Sequence, residues 1–482
     1  MDKNELLEIG RKALNHAHKV GAEEAEAFLY VERQTSVQFV GGIFASRSGA
    51  IKGLKGSFIR MLEPWIKRKG LPKITSGIKV GVGVRAVVNK AIGFSSVSSV
   101  EEDKVLEAAE EATRIAKIRP PDPYWVSFPS PREQPGVEGV FDKKILDVSI
   151  EDLLRLCVDN CVAIGDLDKR INQAMGSVST YVVSRAVVNT HGVEAFDEGT
   201  VFGAYFYAKA KSGSEEVSSG DFLVSRHYTE DLHSIALNAA KWTIEGFGKK
   251  SLPQKYVGPV VFENRSWNEL FSFIFPSGVS AFNVQENRSV LKGKLGKQVA
   301  SNSLSVTDDG TIPEGIGTSK FDDEGVPRQK TPIIEKGVLS SFLYDNYSAK
   351  RENRESTGNA SRMGRATPAY ANLPTIRPTN MLIQPGKGNL QDLTRELKNG
   401  VLVKGTLIGA LHSNVVTGDF SVTAQNAFKI ENGEIAYPIK PCTVAGNLYE
   451  ALNNIIAIGD DLKTFETLIS PSLIVDKIVV ST

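Results

Sequence analysis

The run from Thr180 to Ala210, TYVVSRAVVNTHGVEAFDEGTVFGAYFYAKA, constrains the fold most. It holds two apolar segments on either side of the turn sequence NTHG, and the second segment alternates around Phe202, Tyr205 and Tyr207. Alternation with a period of two is typical of a strand with one buried face, and a short Gly-containing turn joins antiparallel neighbours. The pattern therefore predicts a long antiparallel hairpin or meander.

Helical and strand patterns are segregated along the chain. Helical spacing of apolar residues predicts helices at about Asn4–Val20, Val100–Lys117, Ser149–Ile164 and Thr229–Trp242, whereas short strand patterns dominate from Val257 onward. The stretch GFGKKSLPQKY separates the two regions, and 482 residues are enough for two domains. We expect an α+β protein with an N-terminal α/β-sheet domain at 1–245 and a C-terminal β-rich domain with few helices at 246–482.

The composition excludes several classes of protein. A net charge of +1, from 57 basic and 56 acidic residues, gives no overall attraction to nucleic acid or to a membrane. Three cysteines cannot form a disulfide framework and suit a reducing compartment, and we expect Cys157 and Cys161 to be buried thiols. We find neither an export signal nor an apolar run long enough to span a bilayer, so the expected location is the cytoplasm.

One segment is locally basic. Residues 51–75 hold seven Lys or Arg residues against the single acid Glu63, with apolar residues at helical spacing. Such a segment can lie on a membrane or on nucleic acid, or it can be a helical excursion between two strands that packs on its own domain. We favour the excursion because Pro64 interrupts the pattern, and we expect no membrane binding and no significant nucleic-acid binding.

Motifs that usually carry chemistry are missing. The six histidines form no HExxH pair, and neither a phosphate-binding glycine loop nor a G-x-S-x-G nucleophile turn is present. The sequence FDDEGVP places Asp322, Asp323 and Glu324 in a row, but its composition is that of a turn, and Phe321 is expected to anchor it to the core. The acids are therefore expected to hydrogen-bond backbone amides of the protein or of a substrate.

Several segments together carry a resemblance to a known family. They include LGKQVASNSLSVTDDGT at 295–311, TSKFDDEGVPRQKTPIIEKGVLSSFLYDNYSAK at 318–350, STGNASR at 356–362 and VTGDFSVTAQNAFKIENGEIAYPIK at 416–440. In order and spacing they resemble the TldD/PmbA (TldE) metallopeptidase family, once described as modulators of DNA gyrase. The resemblance covers nearly the whole chain apart from the basic segment at 51–75, which is interpreted as an insertion.

The resemblance also indicates which kind of subunit this is. Active TldD-type subunits carry HExxxH after a PVV-like strand and a ligand cysteine near the C-terminus. Here the matching positions hold Ser272, Phe273 and Ser277, and the C-terminal stretch LISPSLIV has no cysteine. Serine is a poor zinc ligand and phenylalanine cannot move a proton. Without the family, the same helix is interpreted as a packing element that starts with a Ser266–Glu269 capping box and ends at Pro276.

The chain is thus similar to the PmbA/TldE-type subunits, which lack the zinc motif and pair with a TldD-type chain. The resemblance implies no catalytic and no metal-binding residue in this chain, zinc in a TldD-like HExxxH-bearing partner, a heterodimer and peptide substrates bound in extended form. Formation of a homodimer without that partner stays open. Candidate cleft or peptide-binding residues in the family-like segments are Asp322, Asp323, Glu324, Thr357, Asn359 and Asn380.

Two alternatives remain open. The chain is a peptidase on its own, with ligands such as Asp322, Asp323 or Glu324 together with His412, or it is a non-enzymatic protein that binds nucleic acid or a topoisomerase. Neighbouring residues on a strand point to opposite faces, which disfavours a site built from three adjacent acids.

Overall fold

A computed structural model describes residues 1–42, 70–364 and 367–482 of the chain. The predicted insertion at 51–75 therefore lies outside the described residues up to position 69. Its last part, from Gly70 to Thr75, is not helical but begins a long strand.

The helices and strands alternate with loops along the chain. The α-helices are α1 Lys3–Lys19, α2 Glu102–Ile118, α3 Lys144–Asp147, α4 Ile150–Leu167, α5 His233–Glu245, α6 Asn264–Val279, α7 Ala281–Gln285, α8 Asn346–Arg351, α9 Leu390–Arg395 and α10 Leu448–Asn453, with 3-10 turns at Ala369–Ala371 and Ala410–His412. The strands are β1 Glu24–Gly42, β2 Gly70–Val88, β3 Ala91–Val97, β4 Ile171–Asn189, β5 Glu194–Ser212, β6 Glu215–Ser225, β7 Tyr256–Phe262, β8 Val306–Asp309, β9 Lys330–Glu335, β10 Val338–Leu339, β11 Ala360–Ser361, β12 Thr375–Ile376, β13 Met381–Ile383, β14 Asn399–Ile408, β15 Asp419–Glu431, β16 Glu434–Ile439, β17 Cys442–Asn447, β18 Ile455–Ile458, β19 Lys463–Phe465, β20 Leu468–Ser470 and β21 Leu473–Ser481.

The first half of the chain builds one antiparallel six-stranded sheet in the order β3-β2-β1-β4-β5-β6. The predicted hairpin is confirmed as β4 and β5, which pair from Val188 opposite Glu194 to Ile171 opposite Ala210. The strand β1 runs without interruption from Glu24 to Gly42. Arg33 stays paired on both sides, with Ile78 of β2 and Val182 of β4, so the strand continues without a break.

Helices cover one face of this sheet and leave the other to the second half of the chain. Ala27 and Leu29 of β1 pack against a cluster that includes side chains of α1 and α2, while Val37 and Phe39 lie with α4. Because strand side chains alternate, the intervening Phe28 and Tyr30 point to the opposite face, where they pack with Phe321 from the second half.

The second half is built from shorter strands. One sheet has the order β10-β9-β8-β13-β20-β19, and a separate pair joins β11 to β12. In the remaining sheet, β7, β14, β15, β17 and β21 pair in turn and β21 pairs back to β7, so these strands close into a ring. Trp267, Phe271 and Phe275 of α6 lie in the hydrophobic core beside this ring.

The expected α+β class is confirmed, and the predicted boundary at 245/246 falls in the loop between α5 and β7. One helix end differs from expectation: α5 begins at His233 and not at Thr229.

Cys157 and Cys161 are free and buried, as expected. No helix in the described ranges has the length and apolar character needed to cross a bilayer.

Candidate functional site

A cleft of about 790 Å³ lies between the exposed part of the first sheet and the second half of the chain. One wall comes from β1, β4 and β5 through side chains such as Tyr30, Tyr181 and Glu198. The other wall comes from α6, the loop around 316–319, the segment 375–379 and the turn between β19 and β20. The cleft thus lies where two separately built sheets meet, a frequent position for binding sites.

Helix α6 carries Ser272, Phe273 and Ser277, the positions that the family resemblance predicts to correspond to the zinc motif. Ser272 and Ser277 line the cleft, whereas Phe273 is partly buried and packs against the hydrophobic core of the second half. The helix begins directly after β7, with Glu263 as its N-cap, and Glu263 accepts the Gly405 N–H at 2.7 Å.

The expected capping box at Ser266 and Glu269 is wrong. The Ser266 hydroxyl lies inside the helix and donates to the carbonyls of Glu263 and Val403, at 2.8 and 2.9 Å. Pro276 does not end the helix, which continues to Val279. Proline removes one backbone donor from a helix, but Phe275 and Val279 on either side are fully buried in the core, which holds the last turn in place.

The side chains at the motif positions do not fit zinc. The Ser272 hydroxyl donates to Asn268 Oδ1 at 2.6 Å, and the Asn283 amide donates to the Ser277 hydroxyl at 3.1 Å. Structural and catalytic zinc sites use thiolate, imidazole and carboxylate ligands. Within residues 1–42, 70–364 and 367–482, no group of three or more His, Cys, Asp or Glu side chains is arranged to hold a metal ion.

The third cysteine, Cys442, is not among the residues that line the cleft. Cys442 lies in β17 and is 1% exposed, and burial raises the pKa of its thiol to about 11. The thiol is therefore protonated near neutral pH, and thiolates are the form that binds metals.

The acidic turn at Asp322 to Glu324 is held in place by hydrogen bonds to its own backbone and to β11. Asp322 Oδ1 accepts the N–H groups of Glu324 and Val326 at 2.9 and 3.0 Å, and Oδ2 accepts the Ala360 N–H at 2.9 Å. Gly325 has a φ of 84°, a conformation that favours glycine, and completes the turn. The Asp322 carboxyl thus closes the loop on itself and ties it to β11.

Asp323 and Glu324 join this turn to arginines of the first sheet. Arg185 Nη1 donates to Asp323 Oδ1 at 2.8 Å, and Arg85 Nη2 donates to Glu324 Oε1 at 2.9 Å. Arg85 also donates twice to Glu26, at 2.6 and 3.0 Å, and Arg362 donates to the same Glu26 carboxyl. The contact between the halves is therefore a buried network of paired charges.

Burial changes the acidity of this network. It raises the pKa of Asp322 to about 6, against the opposing effect of Arg328 and of the backbone donors. It raises the pKa of Glu324 to about 8; Arg85 opposes this rise, while Asp345, Asp322 and Glu26 add to it. Removing a carboxylate from water disfavours its charged form, and the nearby acids act in the same direction.

Among the predicted candidates, only Asp323 lines the cleft. Asp322 and Glu324 are buried beneath it. The remaining ones form a neighbouring network: Asn359 donates to Asp308 at 2.7 Å and accepts from the half-buried Thr357 at 2.6 Å, and Asn380 donates to Thr318 at 2.9 Å. Peptide binding by these residues stays a prediction. His412 makes no hydrogen bond or ion pair with Asp322, Asp323 or Glu324 in the part of the chain that the structure describes.

The sequence analysis missed Glu26, Arg85 and Arg185, although a signal for them exists. Each is a charged residue inside a strand that is otherwise apolar, in EAEAFLYV, VGVGVRAVV and YVVSRAVV. A charged residue in such a strand indicates that the second face of the sheet is also buried. It also indicates that a residue of opposite charge lies close to it on that face.

Comparison with known proteins agrees with this architecture. Residues 69–116, 143–245 and 253–482 match the models of domain 1, the central domain and the C-terminal domain of the PmbA/TldA metallopeptidases. An uncharacterized protein of Methanocaldococcus jannaschii is 33% identical over 84% of this chain and 90% of its own length. A metalloprotease PmbA homolog of Haemophilus influenzae is 25% identical over 95% of this chain and 99% of its own length. The crystal structure of TldE from Thermococcus kodakarensis superposes with a TM-score of 0.82 and 26% identity, covering 98% of this chain and 100% of that chain.

The fold and these matches define a protein of a metallopeptidase family. More specifically, the chain belongs to the PmbA/TldD family.

Proposed function

We propose that this chain is the metal-free, TldE-type subunit of a heteromeric cytoplasmic metallopeptidase that cleaves short or unfolded peptides. A TldD-like partner with HExxxH supplies the zinc, the attacking water and the general base. This chain supplies a wall of peptide-binding surface and the assembly contacts.

The observation that carries the proposal is the pair Ser272 and Ser277. Both line the cleft, and both hydroxyls are hydrogen-bonded to asparagine side chains. The family resemblance predicts zinc ligands at these two positions in active relatives. This chain thus has a cleft of about 790 Å³ with serine hydroxyls at the predicted ligand positions. Such a cleft supports a subunit that binds a peptide and does not cleave it.

An extended peptide is the ligand that this cleft suits. Its wall carries hydroxyl groups such as those of Ser319, Ser361 and Thr375, and it includes the short strand β12. A peptide that lies along such a strand gains affinity through backbone hydrogen bonds, which tolerate many sequences. Broad selectivity follows from that mode of binding.

The test is a reconstitution with the HExxxH-bearing homologue from the same genome. Each chain is purified alone, and the two are then mixed and assayed on unfolded peptides with and without a zinc chelator. We expect no cleavage by this chain, and chelator-sensitive cleavage that rises when it joins the partner. Zinc-dependent cleavage by this chain alone would overturn the proposal.

A further inference from the structure

The charged side chains that line the cleft are not equally free to bind a ligand. Arg185 is used by Asp323, by Asp197 at 3.5 Å and by the Phe321 carbonyl at 3.0 Å. Arg226 donates to the carbonyls of Thr200, Gly315, Ile316 and Thr318, at 2.5 to 3.2 Å. Both guanidinium groups are therefore already paired with acceptors of the protein itself.

The other two arginines of the lining are also engaged. Arg328 is buried and donates to the Ser319 hydroxyl at 3.1 Å and to the Gly358 carbonyl. Arg377 has interactions of its own. A peptide carboxylate that enters the cleft thus meets Arg185, Arg226 and Arg328 as guanidinium groups that already donate to acceptors of the protein.

The carboxylates of the lining divide into two groups. Asp197, Asp323 and Glu32 each accept hydrogen bonds from protein groups. Glu198 on β5 and Glu466 on the turn between β19 and β20 are exposed, and neither side chain forms an ion pair with any residue that the structure describes. They lie on opposite walls, since β5 belongs to the first sheet and the turn belongs to the second half.

Glu466 acts at the same place as the altered zinc motif. The Asn268 side chain of α6 donates to the Phe465 carbonyl at 3.3 Å, which holds the turn against the helix one turn before Ser272. Burial raises the pKa of Glu269 on that helix, Arg265 opposes the rise, and the charge of Glu466 adds to it. Glu466 therefore lies close to α6, and Glu466 and Ser272 line the same cleft.

We infer that this cleft selects peptides with lysine or arginine side chains and that Glu198 and Glu466 are the specificity-determining residues. The inference rests on the proposed function, because it requires that the cleft binds peptides. A basic side chain from an extended peptide pairs with each wall without displacing an existing ion pair. An acidic side chain meets two unpaired carboxylates and is disfavoured by repulsion.

The experiment measures binding of fluorescent peptides to the full chain by anisotropy at low salt. Three peptides of equal length share one sequence except at two positions, which hold Lys, Gln or Glu. We expect the Lys peptide to bind about 5-fold more tightly than the Gln peptide, the range that one exposed ion pair gives, and the Glu peptide to bind most weakly. The preference should shrink as salt is added.

The variants E198Q and E466Q, singly and combined, remove the charge and keep the shape. The double variant should bind the Lys and Gln peptides equally, while Glu151→Gln, an exposed acid on α4 outside the cleft, should keep the preference. Equal binding of all three peptides by the wild type, or an unchanged preference in the double variant, overturns the inference and leaves the proposed function standing. Failure to bind any of the peptides contradicts the proposed function itself.

Discussion

Arg85 of β2 and Glu324 of the acidic turn are joined at 2.9 Å, and both side chains are buried. The second oxygen of Glu324 accepts the Asn346 N–H at 2.9 Å, at the start of α8. One carboxyl therefore connects the first sheet to two segments of the second half. This connection lies directly beside the cleft, since Asp323, the preceding residue, lines it.

Replacing Glu324 by alanine should destabilise the chain. The change leaves the Arg85 guanidinium and the Asn346 N–H with fewer acceptors in a buried place, which costs about 2 to 3 kcal/mol. Chemical denaturation measures the free energy of unfolding. Glu324→Gln keeps an acceptor and the shape, and it should cost much less; equal losses for both variants would contradict this account.

The stability of the chain should fall as the pH rises through the range in which Glu324 ionises. The folded pKa of Glu324 is about 8, above its ordinary value of 4.5, so the folded state binds its proton more tightly than the unfolded state. The stabilisation is complete below pH 4.5 and is lost as the pH rises through 8. Between pH 6 and 8 the loss is about 2 kcal/mol.

The matched comparison for this pH effect is Glu324→Gln, which has no proton to lose. Denaturation curves of both proteins across pH 5 to 9 isolate the contribution of this one group. The difference between wild type and variant should change steadily across the window. A constant difference at all pH values would show that Glu324 does not titrate there.

Two glycines of β2 offer a matched pair for the contact between the halves. A Cβ on Gly83 would lie 2.2 Å from the Tyr370 carbonyl, whereas a Cβ on Gly77 would meet nothing within 4 Å. Gly83→Ala should therefore force the 369–371 turn away from the sheet and cost about 1 to 3 kcal/mol. Gly77→Ala should be close to neutral in the same denaturation assay, and equal effects would contradict the close packing at Gly83.

The stability of the chain should depend on arginine at position 226, and lysine should not replace it fully. Its guanidinium holds the 315–318 loop at the cleft through several carbonyls, a pattern that needs a planar group with donors in fixed directions. Arg226→Lys should recover less than half of the stability lost in Arg226→Ala, which we expect to be about 3 kcal/mol. Full recovery by lysine would mean that only the charge matters.

Ser272 and Ser277, the positions predicted to correspond to zinc ligands in active relatives, should tolerate substitution. The double variant changes Ser272 and Ser277 to alanine and removes only two hydroxyl hydrogen bonds. If these residues hold no metal, the zinc content and the peptidase activity of the assembled heteromer should stay within about 2-fold of wild type. Loss of activity by orders of magnitude, with the heteromer intact, would contradict this.

The sequence predicted the regular elements well where the pattern is local. α1, α2 and α4 end within a few residues of expectation, and the Ser149–Asp152 capping box is present. The predicted start of α6 was wrong because β7 leads directly into the helix. The pairing of β7 with β14 and β21 fixes where the helix begins, and the local sequence around Ser266 does not.

The site was only partly predictable for a similar reason. The turn character of Asp322 to Gly325 and the anchoring by Phe321 are local properties, and both are confirmed. The partners of Asp323 and Glu324 lie 138 and 239 residues away in the first sheet, in the pairs Arg185–Asp323 and Arg85–Glu324. Such pairings depend on how two sheets meet, which no local pattern specifies.

The most direct test of the central claim is the zinc content of the purified chains, measured by elemental analysis after removal of loosely bound metal. The account predicts about one zinc per heteromeric pair, carried by the HExxxH-bearing partner, and no stoichiometric zinc in this chain alone. Stoichiometric zinc in this chain, retained after Ser272 and Ser277 are changed to alanine, would contradict the claim and indicate a metal site elsewhere in the chain.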